Sequence, residues 1–511
     1  MHHKILSSLI GATTLAFSAS VVAKVSADEA AKLGTSLTPV GAEKGANSKG
    51  TIGEWTNGAM FDATQKQLTP EKLEEIREQF EKLRASNPAP FDKLMTYVDD
   101  FSLNQYDEIS KQVDQIIESL PADLKALAKG QRKQMGGNEK PKLIITKANL
   151  AEHADKLTEG HKALFDKYPD YKMIVYPTVR TAFFPDEIYK ATKANATSAS
   201  LNGTDVVEGA KLGFPFPIPK SGAEVIWNHK LKFRGSSVRR YNNQAIVKPD
   251  GDYKISKLVE DVKFKYANLN EQSDGPIKIL AYYLSEVMEP PRVAGQLTLV
   301  HESAGSGETR SAWIYNPGLG RVNRAPDVSY DNPYIGTDGE QFTDQVDVFN
   351  GALDKYDWKL IGKREMYIPY NSYLINTPLI KYKDIIRPGH INQNLARYEL
   401  HRVWVVEASI RDGQRHQLSK RRFYVDEDSW SIAVVDGYDN RGQLWKVQEA
   451  QLITAPFVPT VTGVPELIYD LQSGRYFVTA LVNEDKISDF KAEYDDKDFS
   501  PSRLQRRARS R

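Results

Sequence analysis

Residues 397–450 carry the pattern that most restricts the fold of this chain. From Tyr398 to Ile410, apolar and polar side chains alternate with the period of two that is typical of a half-buried β-strand. The tight-turn signal Asp412-Gly413 follows, so the next run is expected to return antiparallel to the first. Two further turns, at 426–429 and 439–442, separate two more strand-sized runs. The stretch therefore predicts a four-stranded antiparallel meander.

Strand-sized runs separated by turn residues make up most of the chain after Arg234. Their number and short connections favour one large, strongly curved antiparallel sheet over two small ones, so the fold class is mainly β with α. Helices are predicted at 144–168, interrupted at Gly160, and at 185–196 and 222–231. The predicted strands outside the meander are 171–178, 238–247, 253–266, 277–288, 295–301, 309–316, 322–324, 358–367, 463–470 and 474–482.

The first residues have the features of an export signal. Residues 1–23 combine a basic start at Lys4, an apolar run and a small-residue end, which predicts a cleavable secretory signal cut after Ala23, with Ala27 as the second choice. A membrane anchor is the alternative, but the run is short and weakly apolar for a span. No later stretch reaches membrane-spanning length. The mature chain is therefore expected to be exported and to have no transmembrane span.

Four segments are expected after the signal. Residues 24–61 are an extended lead whose Trp55 fills a groove on the domain surface. Residues 62–140 are a helical insertion of three helices, either a decorating subdomain with its own core or a lid or docking arm. Residues 141–497 form the curved-sheet domain, and residues 498–511 are a basic tail that is expected to be mobile.

Composition excludes several classes of protein. The 511 residues contain no cysteine, which excludes disulfides, thiolate metal sites, a Cys nucleophile and the lipid anchor of bacterial lipoproteins. Hydrophobic residues at 40% and charged residues at 26% are ordinary for a soluble globular protein. Lys4 alone accounts for the net charge of +1, so the mature chain is neutral. Global electrostatics therefore suggests neither nucleic-acid nor membrane-surface binding.

Three stretches resemble the domain of unknown function 1329 family, whose members are often labelled outer membrane lipoprotein-sorting proteins, and the wider LolA/LolB-like superfamily. They are FPFPIPKSGAEVIWNHKLKFRG at 214–235, SAWIYNPGLGRVNRAPDVSYDNP at 311–333 and RRFYVDEDSWSIAVVDGYDNRGQL at 421–444. The resemblance implies a curved antiparallel sheet wrapped as an incomplete barrel around an apolar cavity, closed by helices, that carries lipid or acyl chains across the periplasm. It names no reaction, and the helical insertion departs from the family pattern.

The motifs of common enzymes are missing from the sequence. It contains no Gly-x-Ser-x-Gly elbow, His-Glu-x-x-His helix or phosphate-binding loop, and no two histidines stand at metal-ligand spacing. We therefore expect no enzyme activity, no cofactor and no metal. Single histidines of this kind are interpreted as structural residues.

Three charged stretches have alternative interpretations. Residues 426–428 (Asp-Glu-Asp) resemble a calcium cluster but lack the further oxygen ligands, so they are interpreted as a solvated hairpin corner. Residues 420–422 (Lys-Arg-Arg) would suit a lipid phosphate or a solvated strand face. The long segment 325–354 could bind calcium unspecifically or supply catalytic carboxylates. Its aspartates are Asp327, Asp331, Asp338, Asp344 and Asp347.

The remaining chemistry is hydrophobic. A half-open sheet lined by aromatic and aliphatic side chains favours acyl, sterol or prenyl groups, at about 25 cal/mol per Å² of buried apolar area. The alternative is that the same side chains fill the barrel against its own helices, because alternation predicts burial and not the partner. The candidate ligand-binding residues on the sheet are Trp313, Tyr315, Trp358, Trp404, Val406, Phe423, Ile432 and Val434. Those of the rim and lid are Phe214, Phe216, Ile218, Trp227 and Leu231.

Three hypotheses about function follow. The first is a soluble periplasmic carrier or chaperone for an amphipathic lipid or lipoprotein acyl chain, working with an envelope transporter or outer-membrane protein and not with nucleic acid. The second is an envelope hydrolase or lyase that uses the carboxylates of 325–354. The third is a structural partner of an outer-membrane complex, docked through the helical insertion.

Overall fold

The structure is a computed structural model that describes residues 25–61, 66, 68–134, 139–271, 277–304, 310–325, 330–334 and 336–509. The predicted signal, residues 1–23, lies outside the described residues. The α-helices are α1 (Ala27–Ala30), α2 (Pro70–Ser86), α3 (Ala89–Asp99), α4 (Tyr106–Glu118), α5 (Ala122–Gln134), α6 (Leu150–His153), α7 (Glu159–Lys167), α8 (Asp186–Ser198), α9 (Gly222–Lys230), α10 (Tyr382–Ile385) and α11 (Pro501–Arg509).

The structure has seventeen strands in the described residues. The first ten are β1 (Leu143–Ile145), β2 (Met173–Tyr176), β3 (Ser200–Asn202), β4 (Val206–Glu208), β5 (Ser237–Val247), β6 (Tyr253–Phe264), β7 (Ile279–Glu289), β8 (Leu297–Ser303), β9 (Ser311–Asn316) and β10 (Arg321–Arg324). The others are β11 (Tyr356–Pro369), β12 (Tyr398–Ile410), β13 (Lys420–Asp426), β14 (Ile432–Tyr438), β15 (Leu444–Ala455), β16 (Thr460–Asp470) and β17 (Tyr476–Leu481). Strands β12 to β15 correspond to the predicted meander.

Fifteen of these strands form one curved sheet that does not close on itself. Its order is β1-β2-β12-β13-β14-β15-β16-β17-β5-β6-β7-β8-β9-β10, and β11 pairs with β12. The pairs are antiparallel except for a short parallel contact between β2 and β12. The predicted meander is confirmed, because β12 to β15 are successive antiparallel neighbours and the predicted limits of β12 and β14 are correct. The predicted fold class is confirmed as well.

The two faces of the sheet are covered by different helices. On one face, which we call the inner face, α9 lies against β11 and β12, and a Cβ on Gly222 would stand 2.8 Å from a methyl carbon of Val406. On the opposite, outer face, α7 lies against β14 and β15, where the Gly160 amide donates to Asp436 at 2.9 Å. Helix α9 begins where the sequence predicts, since the Ser221 hydroxyl accepts from the Glu224 amide at 3.3 Å.

Strand β12 is buried on both faces in its first part, where the prediction that it is half-buried was wrong, whereas Glu407 is half-buried and Ser409 is exposed, as predicted. Glu399 and His401 were assigned to a solvated face but are 0% and 1% exposed. The segment before α8 covers them: the Val179 amide donates to Glu399 at 2.8 Å, and Thr178 donates to the Leu400 carbonyl at 2.7 Å. The alternation of apolar and polar residues therefore predicted the strand correctly, but it did not predict that the polar face is buried.

Two helical predictions also need correction. Residues 144–168 do not form one helix but strand β1, helix α6, a short 3-10 turn and helix α7, and Gly160 lies in the first turn of α7. Residues 70–134 hold four α-helices and not three, because α3 was not predicted. The insertion has its own small core, formed by Leu68, Ile76, Ile117, Leu120, Leu124, Leu127 and Ala128.

The C-terminal residues are a packed helix and not a mobile tail. Helix α11 lies on the outer face of β8 to β10, where Leu504 is buried with Leu284, Leu297 and Leu299. Phe499 stacks on Tyr282 with ring centroids 5.4 Å apart. These apolar contacts, together with the ion pairs from Arg507 to Asp261 and Glu286, fix a segment whose arginine content suggested solvation. Within the described ranges, no helix combines the length and apolarity that a membrane crossing requires.

Candidate functional site

The inner face of β5 to β7 carries a connected polar group. Arg240 and Glu260 are cross-strand partners, with Nε and Oε2 2.5 Å apart. Tyr283 on β7 donates a short hydrogen bond to the same carboxylate, and Asn242 donates to it at 2.9 Å. Directly opposed positions on neighbouring strands bring these side chains together without any loop. The carboxylate of Glu260 thus organises three donors on a rigid part of the sheet.

Arg240 is the partly exposed member of this group. Its side chain is 41% exposed, whereas that of Glu260 is 1% exposed. Burial acts to lower the pKa of Arg240, but the charge of Glu260 and its hydrogen bond hold the pKa above its ordinary value. The Arg240 side chain is thus held by Glu260 and still in contact with solvent. The guanidinium can therefore meet a polar group of a ligand there.

The end of α9 brings a second charged group to the inner face. The Asp347 carboxylate lies 2.6 Å from Arg234 and 3.2 Å from Lys232. Nδ1 of His229 accepts the Ile432 amide at 3.1 Å and Nε2 contacts the Asp347 carbonyl oxygen at 2.9 Å, which identifies the neutral tautomer with its proton on Nε2. Burial and the charge of Lys232 hold the pKa of His229 well below its ordinary value, in agreement with this tautomer.

Glu466 and Lys232 titrate near neutral pH in this group. Burial and the charge of Asp347 raise the pKa of Glu466 to about 7. Burial lowers the pKa of Lys232 to about 8, although Asp347 opposes it. Asp347 itself and the following Val348 have positive φ angles of 51° and 62°, a conformation that is strained for these residues. The surrounding ion pairs hold this strained turn against the sheet.

Several carboxylates of the long segment 325–354 are engaged in ion pairs. Asp344 lies 2.5 Å from Arg421 and 3.1 Å from His416, and Asp338 lies 2.9 Å from Arg475. Burial acts to raise the pKa of Asp344, but Arg421 and His416 lower it to about 2. Asp331 lies in the same described segment, and Asp327 lies outside the described residues. Asp344 is therefore held as an anion, which is unsuited to a general acid.

Most predicted ligand-binding residues lie in one buried cluster on the inner side of the sheet. Helix α9 and the segment around Phe349 pack on them, with the Phe349 and Phe423 rings 5.4 Å apart. The described side chains fill this part of the interior, so a ligand would have to displace α9, and a ligand-binding role of the cluster stays a prediction. Its inner-face members are Phe214, Phe216, Trp227, Leu231, Val406, Phe423 and Ile432, with half-buried Trp358 and Trp404 packed against them. Val434 is buried in the same cluster but lies on the outer face, with Asp436.

Three predicted residues lie elsewhere. Trp313 and Tyr315 pair with Leu299 and Leu297 on the outer face of the sheet, beneath α11. Ile218 packs with the small cluster of α1. The structure therefore does not bring them to the inner face, because alternation along β9 separates two faces without indicating which of them is concave.

The half-exposed part of the inner face was not predicted. Thr298, Val300, Ala312 and Ile314 on β8 and β9 are half-buried, and they continue the row of Glu260. This strip combines apolar side chains with the adjacent polar group of Arg240. The sequence signal was weak, because β8 carries apolar residues on both of its faces.

The hairpin corner 426–428 is buried, contrary to its interpretation as solvated. Arg180 binds Asp428 through two hydrogen bonds, and Glu427 lies 2.6 Å from Arg402 and 2.7 Å from Lys363. Of residues 420–422, Arg421 is fully buried on Asp344, and Arg422 lies 2.6 Å from Glu407. The charges at both places are therefore compensated within the chain.

His401, Asp426 and Asp428 have ligand atoms within 4.8 Å of one another, a donor set that could hold a cation. The imidazole, however, lies 3.3 Å from Glu399 and 3.4 Å from Asp426. Burial acts to lower the pKa of His401, but these carboxylates raise it to about 9. A protonated imidazole and Arg180 therefore already supply the positive charge, and the group is suited to a buried ion network.

A cleft of about 420 Å³ separates the insertion from the domain. Arg84 of α2 reaches across it to the Leu379 carbonyl at 3.5 Å. The lining residues are Glu81, Arg84, Ala85, Pro88, Pro378, Leu379 and Lys381.

Comparison with known proteins identifies the family. The family described as "Protein of unknown function (DUF1329)" matches residues 144–505. An uncharacterized protein of Pseudomonas aeruginosa is 40% identical over 488 residues, which are 95% of this chain and 94% of the relative. An alignment of that length includes most of the helical insertion, so the insertion is not peculiar to this chain.

Two solved structures are similar at low identity. A DUF1329 family protein from Desulfovibrio piger has 17% identity and a TM-score of 0.37, over 53% of this chain and 92% of its own. A LolA superfamily protein from Nitrosomonas europaea has 14% identity and a TM-score of 0.34, over 55% of this chain and 98% of its own. The match of the family over most of the sequence decides the assignment, and the chain belongs to the DUF1329 family.

Proposed function

We propose that this chain is a periplasmic carrier that binds an amphipathic lipid, or the acyl chain of a lipoprotein, on the inner face of its sheet. It transfers the ligand between envelope partners without covalent chemistry. The half-exposed strip of Val300, Ala312 and Ile314 beside Arg240 carries the proposal. An apolar strip next to the solvent-exposed guanidinium of Arg240 suits a molecule that has an apolar tail and a polar head group.

The energetics favour such a ligand. Burial of a tail on the strip is worth about 25 cal/mol per Å² of apolar area. Arg240, Glu260 and Tyr283 lie side by side on three neighbouring strands and offer hydrogen-bond donors and acceptors to a head group at the end of the same strip. If α9 moves away from β12, the predicted side chains Trp227, Val406 and Phe423 extend the apolar surface, and α9 acts as the lid.

The enzyme hypothesis has less support. A hydrolase needs a carboxyl group whose pKa lies near the working pH. In the segment 325–354, which that hypothesis invokes, Asp344 pairs with Arg421, and its pKa is lowered to about 2, while Asp347 pairs with Arg234 and Lys232. The pKa of Glu466 is raised to about 7, but Glu466 lies outside that segment, on β16. The ion pairs of Asp344 and Asp347 suit a segment that is fixed to the sheet.

The test is native mass spectrometry, with lipid extraction, of protein isolated from the periplasm of its own host. We expect a reproducible amphipathic lipid and an N-terminus that begins after Ala23. Ile314→Glu, on the inner strip, should lower the amount of bound lipid. Ile361→Glu, at a residue that is 37% exposed on β11, is the matched control and should leave it unchanged. Lipid-free protein in repeated preparations contradicts the proposal.

A further inference from the structure

Two neighbouring turns at one end of the sheet expose large hydrophobic side chains. Met288, at the end of β7, is 45% exposed, and Leu319, in the turn between β9 and β10, is 60% exposed. The two turns are in contact, since a Cβ on Gly295 would lie 3.4 Å from Cγ of Pro317. Alternate turns of a meander emerge at the same end, so Met288 and Leu319 belong to one edge.

Helix α11 adds a row of arginines to this edge. Arg507 anchors the helix, with Nη1 2.8 Å from Asp261 and Nη2 3.2 Å from Glu286, beside the start of β8. Arg503, Arg506 and Arg509 are exposed and recur every third residue, so they share one face of the helix. The helix therefore runs towards the exposed turns with its arginines in solvent.

We call this surface the basic rim. It consists of Arg292 in the turn after β7, Arg321 at the start of β10, Arg503, Arg506 and Arg509 on α11, and the exposed Met288 and Leu319.

The charge of the basic rim is not compensated locally. Within the described ranges, Arg292, Arg321, Arg506 and Arg509 form no ion pair. Arg503 lies 3.6 Å from Asp498, and the nearby Glu289 pairs with Lys257 at 3.1 Å. Because the whole chain has a net charge of only +1, this concentration of arginine is a local property of one edge.

We infer that the basic rim docks on the surface of an anionic lipid bilayer. Arginine side chains near such a surface are attracted to its head groups, at about fivefold in affinity for each residue. Exposed apolar side chains at turn tips can enter the interfacial layer of a bilayer. An acidic protein surface, the other partner that a row of arginines could bind, has no such layer to take up Met288 and Leu319. The inference goes beyond the proposed function and does not depend on a bound cargo.

The experiment is vesicle flotation with the full chain. Vesicles of phosphatidylglycerol and phosphatidylethanolamine should carry the protein, and vesicles of phosphatidylcholine should not. Binding should decrease at high salt, because the interactions between exposed charges are screened. Equal binding to anionic and zwitterionic vesicles, or no binding to either, overturns the inference.

Matched variants distinguish binding through the basic rim from an effect of the protein's net charge. Arg506→Glu with Arg509→Glu should weaken binding to anionic vesicles by at least about 25-fold, since each arginine is worth roughly fivefold. Lys190→Glu with Lys193→Glu, at exposed positions of α8, makes the same change in net charge and should have little effect. Leu319→Ser should weaken binding several-fold at constant charge. If Lys190→Glu with Lys193→Glu weakens vesicle binding as much as Arg506→Glu with Arg509→Glu does, the inference is overturned.

The lipid content of the purified variants keeps the two proposals distinguishable. The rim variants change exposed side chains on α11, which packs on the outer face, and in the turn after β9, and none of them is on the inner strip, so they should retain the lipid of the parent. If the parent contains no lipid but floats with anionic vesicles, the carrier proposal fails and the docking inference stands. If the parent contains lipid but does not float with anionic vesicles, the docking inference fails and the carrier proposal stands.

Discussion

Arg180 and Asp428 form a buried bidentate pair, with Nε 2.8 Å from Oδ2 and Nη2 2.6 Å from Oδ1. The same guanidinium donates to the carbonyl groups of Glu43, Lys44 and Gly53. One side chain thus joins the N-terminal lead, the segment before α8 and the corner between β13 and β14. The planar fork of arginine suits this task, because it satisfies a carboxylate and several carbonyl groups at once.

Removal of this guanidinium should destabilise the whole domain. Arg180→Met leaves the Asp428 carboxylate buried and without its bidentate partner, and we expect a loss of about 3–5 kcal/mol in the free energy of unfolding. Urea denaturation at neutral pH measures it. Arg387→Met is the matched control: Arg387 pairs with Asp99 at 2.5 Å at the surface, and an exposed pair contributes less than about 1 kcal/mol. Equal losses in the two variants would contradict the assigned role.

The imidazolium of His401 should make stability depend on pH. Its pKa in the folded chain is about 9, above the ordinary value of 6.5, so its stabilising contribution is complete below pH 6.5 and is lost as the pH rises through about 9. His401→Gln should therefore be less stable than the parent at pH 6, and the difference should decrease towards pH 9.5. Urea denaturation at three pH values measures this, and a constant difference would be evidence against a protonated His401.

Local patterns were sufficient for the strands of the predicted meander. In β12 and β14, alternation and the adjoining turn residues gave the correct limits, because a strand in a meander is bounded by its own turns. The helix at 222–231 was also predictable from its Ser221 cap. These features depend on residues that are close in sequence.

The environment of each face could not be predicted in the same way. Glu399 and His401 are covered by residues more than 200 positions away, and no local pattern indicates such a contact. Trp313 and Trp404 show similar alternation, yet they lie on opposite faces, because the concave side is set by the curvature of the whole sheet. The half-exposed inner strip was missed for the same reason.

Asp344 should stabilise the fold at neutral pH and lose this effect in acid. Its pKa is about 2 in the folded chain, so the contribution is present above the ordinary value of 3.8 and is lost as the pH falls through about 2. Asp344→Asn leaves Arg421 buried without its counter-charge, and we expect a loss of about 3–5 kcal/mol at pH 7 that becomes smaller towards pH 2. Asp338→Asn, at an exposed pair, is the control in the same denaturation series. A loss that does not change with pH would exclude this ion pair as its cause.

Gly160 offers a test in which the ordinary expectation is reversed. In a helix, Gly→Ala normally stabilises by up to about 1 kcal/mol. At Gly160, however, the new Cβ would stand 2.4 Å from the Asp436 carboxylate and 2.6 Å from a Val447 methyl carbon. Gly160→Ala should therefore push α7 off the outer face and lower the free energy of unfolding by about 1–3 kcal/mol. Gly45→Ala, where the added methyl group meets no atom within 4 Å, should be nearly neutral. Both are measured by urea denaturation, and a stabilised Gly160→Ala variant would show that α7 does not lie as close to β14 and β15 as the structure places it.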